Sequence, residues 1–374
     1  MSMRSAFGKL PHFIQRLKPK KDTEFTCSAT NNTFMVAFDD YGDPERKLYD
    51  KLEPVRRPLF PSDVLVKMLM APVNVSDLEM ITGTYFVRPQ LPAVAGNEGV
   101  GQVMEIGTEV ERFRPGDWVI PADLGWGTWR TVAVTEEKNL IRVPNDIPVL
   151  GAATVAVNPC TAYRMLKTFI DLRPGDAIIQ NGANSSVGQA VIQLAKEWGY
   201  HTINIVRNRD DIESLVMYLR DIGAHHVVTD QFLKSGDMRY FINSLPKRPR
   251  LALDCIGGKI SNELPQYLAD DAVMVTYGHM AHQIECSGDC GTMISPVYKQ
   301  VHVQGYWDST WEHGHAPCMK KMVAEICSMM KKGKFRPPPC DIYTLDMYPL
   351  AVKLAKEPFR RRKVVLRLAG DLTL

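Results

Sequence analysis

The sequence predicts an α/β protein of two bodies, a β-rich one followed by a parallel sheet wrapped by helices, and three observations predict it. Between Val64 and Val143 short alternating runs are punctuated by Gly and Pro, as in a β-rich, partly barrel-like domain. After Pro159 the texture changes to apolar strand, helix, apolar strand, which means βαβ units and a parallel sheet. The 374 residues, 45% hydrophobic and 23% charged, suffice for one or two ordinary cores, with no repeat period or low-complexity tract.

The first body reads from VLVKMLM at Val64, VGQVMEI at Val100, DWVIPA at Asp117 and WRTVAV at Trp129, with Arg114-Pro115-Gly116-Asp117 as a turn. The second reads as strand Ala177 to Asn181, helix from Ser185, strand Thr202 to Val206, helix from Asp211 and strand His225 to Asp230. It continues with strand Leu251 to Ile256, a helix near Gly258 to Leu268 and strand Ala272 to Tyr277, and the sheet runs to about residue 305. A helix near Lys320 to Met330, amphipathic with a lysine-bearing solvated face, and a strand from Lys363 close the chain and are expected to return to the first body. The expected division is 1–21, 22–158, 159–305 and 306–374.

Residues 1–21 carry six basic side chains and no acid, with Ala6, Leu10, Phe13 and Leu17 on one helical face; this reads as a mitochondrial transit peptide, the alternative being a basic tail with Pro11 inside it. Without those six charges the remainder has 39 basic residues against 42 acidic, so the basic balance does not point to a nucleic-acid partner. No run approaches the roughly 18 uncharged apolar residues of a membrane span. Eight cysteines without paired spacing fit a reducing compartment; Cys286 and Cys290, the one close pair, lack the CxxC or HxxxH that a zinc site would show.

The turn Gly182-Ala183-Asn184-Ser185-Ser186-Val187-Gly188 runs from strand into helix, where free N–H groups and the helix dipole suit a pyrophosphate. Of the three fingerprint glycines only Gly188 is present; Ala183 and Ser185 hold the other positions. About twenty residues on, the next strand ends in Arg207-Asn208-Arg209, positive charge where a 2′-phosphate would lie, so the cofactor expected is NADPH; a solvated loop beside Asp210 and Asp211 is the other reading.

Gly107, Val110, Phe113, Pro115-Gly116-Asp117 and Val119 ahead of such a half resemble the medium-chain dehydrogenase/reductase superfamily. That resemblance implies a GroES-like catalytic domain with a Rossmann NADPH-binding domain. Where zinc-dependent members carry a histidine ligand, this chain has Asn97 in Gly96-Asn97-Glu98-Gly99-Val100-Gly101, and no four-cysteine lobe follows, so no metal is expected. The runs Gly83-Thr84-Tyr85, Leu91 to Val100, Val157 to Leu166 and Asn184 to Gln193 resemble the mitochondrial trans-2-enoyl-CoA reductases.

What that resemblance implies is a proton donor at Tyr85 and cofactor contacts at Asn158, Asn184, Ser185, Ser186, Val187, Arg207, Asn208, Arg209, Tyr277, Gly278, His279, Met280, Tyr306, Trp307, Asp308 and Lys363. Ser186 and His279 stand where the family has glycine, and Asp308 where it has an apolar residue. The resemblance further implies enoyl-CoA or enoyl-acyl carrier protein as substrate, a mitochondrial matrix location and a homodimer formed by edge strands of the cofactor domain.

The chemistry is consistent with the residues. A 2-enoyl thioester is electrophilic at C3, so hydride addition gives an enolate that needs a proton at C2, and a positioned tyrosine is a reasonable donor. Asn97 could hydrogen-bond a carbonyl or brace the Tyr85 loop, though its turn geometry alone would explain it. Trp307 could shape an acyl tunnel or be ordinary core. Arg360 to Arg362 read as a solvated helix end, phosphate binding being the other use. A quinone reductase of the zinc-free branch, and a non-catalytic NADPH-binding interaction protein, stay open at this point.

Overall fold

A computed structural model describes residues 31–278, 299–307 and 316–370. The expected leader at 1–21, and Cys286, Cys290, His279, Met280 and Asp308, lie outside the described residues.

The second half forms a six-stranded parallel sheet in the order His226–Thr229, His201–Val206, Ala177–Gln180, Pro249–Asp254, Val273–Thr276, His302–Gly305. Its inner strands are apolar on both faces because helices cover both. The order reverses between Ala177–Gln180 and Pro249–Asp254, and the carboxyl ends at such a switch point open a crevice where ligands bind. Asn181 spans that point: its Nδ2 donates to Asp254 Oδ1 at 2.6 Å, and its Oδ1 accepts from the Cys255 N–H at 2.9 Å.

The first half builds a seven-stranded sheet around Asp63–Pro72, which pairs with Val100–Ile106 and Val132–Glu136, and a smaller sheet around Asn32–Phe38. In the tail, Lys363–Arg367 pairs antiparallel with Asp63–Pro72 through Val365 opposite Pro72, and parallel with Cys340–Thr344.

One apolar core joins the halves. Met70 and Val100 from the first pack in the same cluster as Ile178 and Ala190 from the second, with Met165 of helix Asn158–Thr168 and Ile326 of helix Ala316–Lys331 between them. Each such fully buried side chain contributes roughly 1.5–3 kcal/mol. The expected Gly258–Leu268 helix is shorter: it stops at Glu263 and continues as a 3₁₀ turn over Pro265–Tyr267, because Pro265 cannot donate an i→i−4 bond. No described helix is long and apolar enough to cross a membrane.

Candidate active site

Tyr85 is placed by the helix Val75–Thr82. That helix opens on a capping box in which the Asn74 N–H donates to Asp77 Oδ2 at 2.7 Å. It ends at Gly83, left-handed at φ 79°, where the chain folds back and the N–H groups of Thr84 and Tyr85 both donate to the Glu79 carbonyl at 3.0 Å. A glycine is needed there: a Cβ would also lie 3.0 Å from Tyr41. The half-buried Tyr85 is thereby aimed at Trp307, which follows the last parallel strand. Trp307 Nε1 donates to the Tyr85 hydroxyl at 3.2 Å, and the rings meet edge to face at 5.8 Å. Phe86 packs on the same indole at 4.9 Å.

The other end of that helix is held by a buried polar network. Asn97 gives both its backbone N–H and its Nδ2 to Asp77 Oδ1 at 2.8 Å, and its Oδ1 accepts from the Gly125 N–H at 2.7 Å. Asn97 is therefore held by its side chain as well as by turn geometry, and it braces the helix that presents Tyr85. Gly96 beside it, at φ 92°, sits on the fully buried Trp129, where a Cβ would come within 2.3 Å of the indole.

Asn74 Nδ2 donates to Glu98 Oε2 at 2.8 Å, and Glu98 Oε1 accepts from the Val157 N–H at 2.8 Å. The Asn74 Oδ1 collects Lys363 Nζ at 2.6 Å and Asn158 Nδ2 at 3.2 Å. Burial pushes the Asp77 carboxyl up to about 7 and the Glu98 carboxyl upward, while it pushes the Lys363 amine down; the opposite charges facing each other oppose these shifts.

The expected cofactor residues gather along the carboxyl edge of the parallel sheet. Ser185 Oγ accepts from the Gly188 N–H at 3.1 Å and caps helix Ser186–Glu197. Gly188 is obligatory, since a Cβ would lie 2.6 Å from the backbone of Ala183. Asn158, Ser186 and Lys363 line one cleft together with Gln189 and Arg336. The Asn184 carbonyl accepts from Gln189 Nε2 at 2.9 Å, and Val187 packs, partly buried, on the core. Tyr277 and Gly278 follow the fifth strand; burial raises the Tyr277 phenol, and a Cβ on Gly278 would lie 3.0 Å from the Cys255 carbonyl oxygen.

At the end of the second strand the guanidiniums of Arg207 and Arg209 lie over the Phe359 ring, 4.7 and 5.4 Å from its centroid. Arg209 Nη1 donates to the Phe359 carbonyl at 2.9 Å, and its Nε is buried without a hydrogen-bond partner. Among the described residues no carboxylate pairs with Arg207. A glycine-only approach at a helix N-terminus, a buried unpartnered guanidinium nitrogen and surplus positive charge suit a dinucleotide bearing a 2′-phosphate.

Other residues are placed differently. Asn208 is tied to the short helix Asp230–Leu233, its N–H donating to Asp230 Oδ1 at 2.9 Å and its Nδ2 to Gln231 Oε1 at 3.2 Å. Tyr306 turns into the core against Phe169, and it is Trp307 that reaches Tyr85. The run Arg360 to Arg362 is not a solvated helix end: Arg360 Nη2 and Arg362 Nε donate to Asp341 at 2.9 and 2.6 Å, because the strand Cys340–Thr344 brings that carboxylate alongside. Among the described residues no three His, Cys, Asp or Glu side chains gather as metal ligands would. Sequence reasoning missed Asn74, Asp77 and Glu98; the Asn74-x-x-Asp77 spacing ahead of an apolar run is a cap signature that could have flagged the first two.

Comparison with known proteins gives two family models, an alcohol dehydrogenase GroES-like domain over residues 60–145 and a zinc-binding dehydrogenase over residues 186–325. A mitochondrial enoyl-acyl-carrier-protein reductase of Xenopus tropicalis is 46% identical over 335 residues, 88% of this chain and 94% of that one. Its Homo sapiens counterpart is 47% identical over 82% of this chain and 81% of its own length. The structure of the Etr1p complex with NADP and crotonyl-CoA is similar at a TM-score of 0.82 with 27% identity, covering 90% of this chain and 99% of that one. The mitochondrial 2-enoyl thioester reductase Etr1p/Etr2p heterodimer of Candida tropicalis matches with a TM-score of 0.83 at the same identity and coverage.

Proposed function

The chain belongs to the mitochondrial enoyl-acyl-carrier-protein reductases of the medium-chain dehydrogenase/reductase superfamily, and from that premise we propose that it reduces trans-2-enoyl thioesters with NADPH to saturated acyl thioesters in mitochondrial fatty acid synthesis. The observation that carries this reading is the Tyr85–Trp307 hydrogen bond, which sets a phenol of the first body at the edge of the cofactor sheet.

Asn158, Asn184 to Val187, Arg207 to Arg209, Tyr277, Gly278 and Lys363 are assigned to the dinucleotide, with His279, Met280, Tyr306, Trp307 and Asp308 from the resemblance. When bound, NADPH supplies the hydride that the substrate takes up at C3. The chain supplies the rest. Tyr85 donates its proton to C2 of the resulting enolate, directly or through water, and the Trp307 N–H, already on the phenol oxygen, stabilises the charge that the departing proton leaves. The network from Lys363 through Asn74 and Asp77 to Asn97 keeps the helix still while this happens.

Residues 1–21 are assigned as the targeting leader, 22–158 with 306–374 as the catalytic domain and 159–305 as the cofactor domain. A homodimer is favoured by the exposed strand His302–Gly305, which ends the parallel sheet and, among the described residues, pairs on one side alone, so its outer backbone can add to that of a second copy. The substrate is an enoyl-CoA or an enoyl-acyl carrier protein. The test is NADPH consumption by the purified chain on addition of crotonyl-CoA or a longer 2-enoyl-CoA. Consumption with a quinone and none with the enoyl thioester would favour the quinone reductase reading.

A further inference from the structure

The arginine pair at the end of the second parallel strand is met by a third arginine from the returning tail. Arg361 Nη1 donates to Ser214 Oγ and its Nη2 to the Asp211 carbonyl, both at 2.7 Å, and the same guanidinium is ion-paired with the Asp211 carboxylate. Asp211 is the acid that would neutralise the pair. Its Oδ1 lies 3.8 Å from Arg209 Nε, yet no hydrogen bond joins them and that nitrogen stays unpartnered. Asp210 is exposed and, among the described residues, in no ion pair.

We propose that Arg361 is a positioning residue for cofactor choice: by holding the Asp211 carboxylate, it keeps that acid from a hydrogen-bonded pairing with Arg209 and leaves Arg207 and Arg209 open to the 2′-phosphate of NADPH. The inference rests on the NADPH reading above.

Three features support it. Arg361 grips the start of the helix Ile212–Asp221 at three acceptors, whereas Asp211 and Arg209 merely approach. The turn that carries Arg361 also carries Phe359, whose carbonyl and ring fix Arg209 and whose ring underlies Arg207, so one segment of the tail sets all three guanidiniums. Phe359 keeps a left-handed backbone at φ 59°, uncommon for an aromatic residue, to do so. The Arg209 proton is held less tightly than usual, first through burial and then through the charges of Arg361 and Arg207, against the pull of Asp211; a dianion in their midst relieves that repulsion.

The experiment compares kcat and KM for NADPH and NADH in the full chain. Arg361→Gln releases Asp211 to Arg209 and raises KM for NADPH about fivefold, the scale of one partly exposed ion pair, with KM for NADH and kcat unchanged. Adding Asp211→Asn to that variant restores the NADPH value, and Arg361→Lys, which keeps the ion pair, retains the preference. An equal rise with both cofactors, or no recovery in the double variant, overturns the proposal. Failure of the NADPH reading is distinguishable, because it would appear in the unaltered enzyme as equal use of NADH.

Discussion

The Trp307 indole N–H donates to the Tyr85 hydroxyl at 3.2 Å across 222 residues of chain, with the rings edge to face at 74°. A donor on the phenol oxygen matters most when that oxygen carries charge. Trp307→Phe keeps an aromatic face and removes the donor, so kcat with an enoyl thioester falls about tenfold. Steady-state kinetics of the variant checks this; an unchanged kcat would show that the contact is packing alone.

Asn97→Ala removes the side-chain Nδ2 hydrogen bond to the buried Asp77 carboxylate, keeps the backbone one, and orphans the Gly125 N–H. The loss of a buried polar partner predicts destabilisation of about 1–3 kcal/mol. Denaturant unfolding followed by circular dichroism measures it, and a midpoint equal to that of the unaltered chain would contradict the bracing role.

Replacing Arg207 and Arg209 together by alanine removes the two guanidiniums over Phe359. KM for NADPH rises much more than KM for NADH. Equal losses with the two cofactors would sink the assignment of the pair to the 2′-phosphate.

How much of this was legible in the sequence depends on how far apart the partners lie. The parallel sheet and the Arg207–Arg209 pair at the end of its second strand were readable because periodicity and the strand-turn-helix spacing are local. The bracing of Asn97 was not, since Asp77 is twenty residues away and nothing in a Gly-flanked turn names its partner. Lys363 stood out as a lysine opening an apolar strand, but its contact, Asn74 Oδ1, is 289 residues earlier. The Arg360–Arg362 run reads as solvated for the same reason: Asp341 and Asp211 become its partners only through the tail's pairing with Cys340–Thr344 and its docking on the cofactor domain.

Asp176 leads into the first parallel strand. Burial alone would raise its carboxyl, but the Arg173 N–H, Lys247 and Arg250 outweigh burial and hold it at about 2. An unfolded aspartate titrates at 3.8, so the native chain binds fewer protons than the unfolded one in between. The stabilisation is complete above about pH 4 and is lost as pH falls through about 2. The difference in unfolding free energy between the unaltered chain and Asp176→Asn should therefore be constant from neutral pH to about 4 and shrink below it. A difference independent of pH would contradict this.

Tyr85 is the proposed proton donor to a substrate activated by its own conjugated thioester. Tyr85→Phe tests it most directly, by NADPH consumption with a 2-enoyl-CoA alongside NADPH binding followed by fluorescence. Turnover is expected to fall at least about a hundredfold, with NADPH affinity preserved. Turnover retained in the phenylalanine variant would contradict it.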